Sequence, residues 1–129
     1  MTRPLILAAL VLGASSAACA PPEGPLMSPG EDCLSCHSDF TAAGTVYPAS
    51  SAAADQGLSG VKVLVTDRQG RRLILSSNGA GNFFTAEPLA FPIEVQVEKD
   101  GKRVAMPVPP AEGSCNRCHF PGNGFGAPG

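Results

Sequence analysis

Hydrophobic and polar positions divide the chain into three regimes. Residues 5–13 form an uninterrupted apolar run, Leu5-Ile6-Leu7-Ala8-Ala9-Leu10-Val11-Leu12-Gly13. Residues 60–106 alternate apolar with polar positions and are broken by tight-turn sequences, whereas the rest is rich in proline, glycine, serine and alanine without periodicity. Alternation with period 2 sends successive side chains to opposite faces, so the middle regime predicts half-buried strands. Residues 61–66 read as one strand, Asp67-Arg68-Gln69-Gly70 as a turn, and 71–76 as the hairpin partner. Asn78-Gly79-Ala80-Gly81 predicts the next reversal, ahead of a strand at 82–85. Beyond Pro88 and Pro92, Ile93-Glu94-Val95-Gln96-Val97-Glu98 alternates strictly, and Asp100-Gly101 turns the chain into a last strand at 102–106. Five short strands predict a mainly β chain, a small antiparallel β-sandwich or barrel spanning residues 58–106. Residues 41–56, dominated by small side chains, predict a loop with at most one helical turn.

The apolar run has a different meaning. Arg3 precedes it and small residues Ala14 to Ala18 follow, the layout of a secretory signal peptide over residues 1–18. It is shorter than the ~20 residues of a membrane span and no stop-transfer segment follows. Cys19, the one cysteine outside any pair, stands directly after Ser16-Ala17-Ala18. This resembles a bacterial lipoprotein cleavage site, which implies a lipidated Cys19 as mature amino terminus. Ser16 stands where such sites more often carry leucine; ordinary signal-peptide cleavage nearby is the alternative. Several acyl chains on one residue make a stable anchor. The expected location is the periplasmic face of the outer membrane or the cell surface, or the periplasm without the lipid. Residues 19–30, with Pro21-Pro22, Pro25 and Pro29-Gly30, predict an extended tether.

Two copies of one pentapeptide carry the chemistry: Cys33-Leu34-Ser35-Cys36-His37 and Cys115-Asn116-Arg117-Cys118-His119. Cys-x-x-Cys-His is the attachment pattern of c-type haem. Two cysteines three apart on a helical turn face one side and can form thioethers to one porphyrin, and the next residue supplies a proximal imidazole. The pattern predicts two covalent haems, with Cys33, Cys36, Cys115 and Cys118 as thioether sites and His37 and His119 as iron ligands. Both histidines of the chain and four of its five cysteines fall inside the two copies. Competing readings are a zinc site, disulfides between the motifs, and a redox-active Cys-x-x-Cys. Zinc ribbons space their knuckles by ~15–20 residues, far less than here, and neither kind of disulfide chemistry gives a reason for a histidine after each pair. Export agrees with haem, since c-type attachment is completed outside the cytoplasmic membrane. The attachment segments are expected at residues 31–57, opening on Glu31 and Asp32 at the start of a short helix, and at 107–129, ending in a glycine-rich tail.

The middle segment resembles the carboxypeptidase regulatory-like, transthyretin-type β-sandwich. Gly60-Val61-Lys62-Val63, Asp67-Arg68-Gln69-Gly70, Ser77-Asn78-Gly79-Ala80-Gly81-Asn82-Phe83 and Ile93-Glu94-Val95-Gln96-Val97 carry the likeness. It implies a scaffold or binding surface and no catalytic residue. The whole chain is similar in layout to a small exported di-haem cytochrome with this sandwich set between its attachment sites.

With both histidines committed as proximal ligands, bis-histidine ligation is excluded and each sixth position needs another donor. Met106, followed by Pro107 as in the Met-Pro element of small cytochromes c, is the first candidate and Met27 the second; thioether ligation raises the potential. Lys99, Lys102 and Tyr47 are remoter candidates. Glu112 is expected to be a solvated loop charge. The net charge of −2 provides no basic stripe for nucleic acid. Removing residues 1–18 takes away Arg3 from nine basic residues, leaving eight against eleven acidic ones. Such a chain suits a single-electron carrier between redox proteins, membrane-held by its lipid and able to associate through haem-proximal surfaces. Two rivals stand beside it: a structural or interaction lipoprotein with disulfides, and a haem sensor or small peroxidase with an open distal site.

Overall fold

The computed structural model describes residues 24–121. The expected signal peptide, Cys19 and most of the glycine-rich tail lie outside the described residues. The fold is mainly β, with two antiparallel sheets. The first sheet pairs β1 (Ala42–Thr45) with β4 (Asn82–Thr85). The second has the order β3-β2-β5-β6 and comprises β2 (Lys62–Thr66), β3 (Arg72–Ser76), β5 (Glu94–Lys99) and β6 (Lys102–Ala105).

Turn chemistry sets the registers. Lys62 opposes Ser76 and Thr66 opposes Arg72 across the β2–β3 hairpin. Its turn is built by Asp67, whose Oδ1 accepts the backbone N–H groups of Gln69 and Arg71, both at 2.9 Å, while Oδ2 accepts that of Ala90 at 3.0 Å. One carboxylate thus closes the hairpin and fastens the loop leading to β5. Asp100 and Gly101 both adopt positive φ, +51° and +77°, the requirement of a two-residue primed turn between β5 and β6. β5 then lies along β2 with Val97 opposite Val63 and Val95 opposite Val65. Alternation therefore sends one valine row inward: Val61, Val63, Val65 and Ile93 are at most 2% exposed. They form the core with Val46 and with Phe83 of β4, which joins the two sheets.

The loop expected at residues 41–56 is corrected in its first part, where Ala42-Ala43-Gly44-Thr45 is a strand. These residues lack the branched side chains that mark strands, so their state is set by tertiary pairing. β4 lies on one side. On the other, the Ala43 N–H donates to the Gly113 carbonyl at 3.0 Å and Ala43 forms a parallel bridge with Ser114. Only small side chains permit this approach, and β1 is buried throughout.

The expected tether is corrected over Pro25 to Gly30. Asn82 Nδ2 donates to the carbonyls of Met27 (2.8 Å) and Pro25 (3.2 Å), and the Gly30 N–H donates to Thr45 Oγ1 (2.9 Å). This segment is part of the folded body. No helix among the described residues is long and apolar enough to cross a membrane.

Candidate functional site

Each pentapeptide forms a single 3-10 turn, Cys33–Ser35 and Cys115–Arg117, where a short helix is expected after Glu31 and Asp32. The two turns repeat one geometry. The His37 N–H donates to the Cys33 carbonyl at 2.9 Å, and the His119 N–H to the Cys115 carbonyl at 2.9 Å. Cys36 and Cys118 close the tighter bonds to the same carbonyls at 3.3 and 3.2 Å. Both cysteines of a pair and the following histidine are thereby gathered around one turn.

Although 77 residues separate the two copies (residues 38–114), both turns pack against β1. The residues between the cysteines of the second motif make the junction. Asn116, 3% exposed, accepts the Thr45 N–H on Oδ1 at 2.8 Å and donates from Nδ2 to the Glu31 carbonyl at 2.8 Å and to Thr45 Oγ1 at 3.0 Å. The same Nδ2 lies 3.9 Å from Cys33 Sγ. Arg117 reaches Asp32 at 3.3 Å and Glu112 at 2.8 Å. Asp32 Oδ1 is buried without a hydrogen-bond partner, so the junction is one donor short. Thr45 completes the network by donating from its hydroxyl to Asn82 Oδ1 at 2.8 Å. Sequence reasoning gave Asp32 a helix-start role alone and passed over Asn116, Arg117, Thr45 and Asn82, because intervening motif positions and strand polar residues carry no signal of a long-range partner.

The thiols are not equivalent. The first cysteines face the junction: burial pushes the Cys115 thiol up to about 12, with Cys33 nearby adding to the effect, and burial also raises Cys33. Gly44 explains the tightness, since a Cβ there would stand 2.8 Å from Cys115 Cβ and 2.9 Å from Phe83 Cζ. Cys118 is exposed, and Cys36, His37 and His119 are half-buried. Cys36 is disulfide-bonded, while Cys33, Cys115 and Cys118 are thiols. A redox-active Cys-x-x-Cys works through a lowered thiol pKa at its attacking cysteine. Raised values at Cys33 and Cys115 argue against that chemistry.

His37 stacks on Phe40 with ring centroids 4.8 Å apart, and Phe40 stacks on Phe84 at 4.9 Å. Among the described residues no three His, Cys, Asp or Glu side chains are grouped to hold a metal ion. Met106 follows β6 at the edge of the four-stranded sheet, its N–H bonded to the Val95 carbonyl at 2.9 Å. Met27 is fastened by Asn82 to the network that joins the two turns. Tyr47 is buried, donates to the Ala54 carbonyl at 3.1 Å and has its pKa raised by that burial. Lys99 donates to the Ser59 carbonyl at 3.1 Å. No family model, curated protein or solved structure matches the chain.

Proposed function

We propose that the protein is an exported di-haem c-type cytochrome that carries single electrons between redox partners. The observation behind it is the union of two Cys-x-x-Cys-His turns of one geometry into a single buried junction through Asn116 and Arg117. The donor set suits the group: each turn offers two thiol positions for thioethers and one imidazole for iron. Cys33, Cys36 and His37 would hold one haem, Cys115, Cys118 and His119 the other; bound haem supplies a reversible one-electron couple. The scaffold's part is to hold both attachment turns on β1 and keep their spacing fixed. That arrangement favours rapid exchange between two centres over a distal pocket with acid–base groups, so an electron carrier is favoured over a peroxidase.

For the sixth positions, Asn82 Nδ2 holds the Met27 carbonyl at 2.8 Å, so Met27 belongs to the folded body and not to a tether. Met27 therefore becomes the first candidate, ahead of Met106. Cys19 lipidation and the carboxypeptidase regulatory-like resemblance of residues 58–106 belong to the same reading: a lipid-held sandwich that displays two haems.

One observation favours a second reading. The disulfide at Cys36 fits a structural or interaction protein whose cysteines serve as cross-links. Expression of the full chain with a c-type maturation system, followed by a pyridine haemochrome assay and intact mass, separates the two. A mass exceeding the polypeptide by two haems is expected. A colourless protein of polypeptide mass, with Cys36 still oxidised, overturns the cytochrome reading in favour of the second.

A further inference from the structure

The two pentapeptides match through their histidines and then diverge. The third residue after His37 is Phe40, whereas the third after His119 is Gly122. Phe40 lies against the His37 imidazole at 4.8 Å with planes 21° apart, and against Phe84 at 4.9 Å with planes 11° apart. Three near-parallel rings thus form one column, within the centroid range of offset aromatic stacking. The column is anchored at its middle. Thr41, next to Phe40, donates its N–H to the Thr85 carbonyl at 2.8 Å and its hydroxyl to the Glu87 carbonyl at 2.6 Å. At its end, Phe84 is fixed in β4 opposite Ala43. An imidazole held face-on by such a column loses rotation about its ring torsion, which is otherwise broad and soft.

We propose that Phe40, backed by Phe84, is a positioning residue that fixes the plane of the His37 imidazole at its haem site. The proposal rests on the di-haem reading. The plane of an axial imidazole determines how its π orbitals overlap those of the iron, so constraining the ring sets the magnetic anisotropy of that centre.

The test uses the full chain matured with haem and compares ferric electron paramagnetic resonance spectra of wild type, Phe40→Leu, Phe40→Tyr and Phe84→Leu. Wild type is expected to show two distinct signals. Phe40→Leu keeps side-chain bulk without a ring, and should shift or broaden one signal while the other and the haem count stay unchanged. Phe40→Tyr keeps the stack and should restore the wild-type spectrum. Phe84→Leu, at a position 43% exposed, should move the same signal by less and provides the readout if thermal unfolding finds the Phe40 variants misfolded. Two haems with unaltered signals in the folded variants, or equal shifts of both signals, overturn the positioning role and leave the di-haem reading intact. Absence of haem from the wild type overturns that reading instead.

Discussion

Asn116 combines three roles that no other residue type fills at once. Its side chain accepts one backbone N–H, donates to one backbone carbonyl and donates to a hydroxyl, all across more than 70 residues of sequence. Replacement by leucine keeps the branching and the number of heavy atoms and leaves the buried Thr45 N–H without an acceptor. Leaving a buried polar group unpaired costs about 1–3 kcal/mol, so Asn116→Leu should lower the denaturation midpoint by about that much stability with an unchanged denaturant slope. Equal midpoints in wild type and variant would remove Asn116 from the junction. Asp67 gives a second residue-scale test. The Ala90 N–H lowers its pKa most, against some cost of burial, and the Arg71 and Gln69 N–H groups lower it further. A depressed folded-state value means the contribution is fully present above the unfolded carboxylate value of about 3.9 and is lost as pH falls through the folded value. Glu98, lowered by its hydrogen bond from Arg103, titrates in the same sense. The discriminating measurement is therefore the difference in stability between wild type and Asp67→Asn, which should shrink as the solution is acidified below pH ~4.

At the level of elements, the hairpins were legible because their causes are local. Asp67 with Gly70, and Asp100 with Gly101, specify turn geometry within a few residues, and the valine alternation of β2 and β5 names the buried face. β1 was not legible, because nothing in Ala42-Ala43-Gly44-Thr45 distinguishes a strand from a loop until β4 and the Gly113–Ser114 segment flank it. The cysteine pairs were readable as chemistry, but their adjacency was hidden, since it depends on β1 receiving both turns. Pro25 to Gly30 misled for a similar reason: proline and glycine suggest a tether, while their carbonyls and N–H groups meet Asn82 and Thr45 from distant strands. Gly44 tests this account of β1. A methyl group there stands within 3 Å of Cys115 Cβ and Phe83 Cζ, so Gly44→Ala must displace the second turn or the core ring. A cost of about 1–3 kcal/mol is expected for overpacking of this kind. Amide exchange should show the extra opening concentrated at Cys115, Cys118 and His119, and a uniform loss of protection across the sandwich would argue against it.

For the whole molecule, the chain uses a β fold to bring distant segments onto one strand, and this has an electrostatic consequence under the proposed function. Asp32, Cys33, Thr45, Asn116 and Arg117 form one connected cluster, so a charge change at one attachment turn is felt at the other through protein and not through bulk water. Partial burial weakens screening and lengthens the reach of such interactions relative to exposed charges. Oxidising one iron should therefore make oxidation of the second harder. Consider Cys33→Ala with Cys36→Ala, which removes the covalent anchorage of one haem and the Cys33 contact of Asn116 but keeps His37, Asp32 and the Asn116 bonds to Thr45 and Glu31. The surviving centre at Cys115, Cys118 and His119 should titrate as a single one-electron couple. Its midpoint should differ from both wild-type midpoints by an amount on the order of tens of millivolts, the size of a pairwise interaction near 1 kcal/mol. The shift should shrink as ionic strength rises only to the extent that the centres are exposed, which makes salt dependence an independent gauge of burial at the junction. Arg117→Gln, which withdraws the cation bridging Asp32 and Glu112, should lower both midpoints together, because a positive charge beside an iron favours its reduced state. If instead the surviving couple coincides with one of the wild-type waves and Arg117→Gln moves only one potential, the two centres are independent despite their shared strand, and internal electron exchange is not what this architecture was shaped to provide.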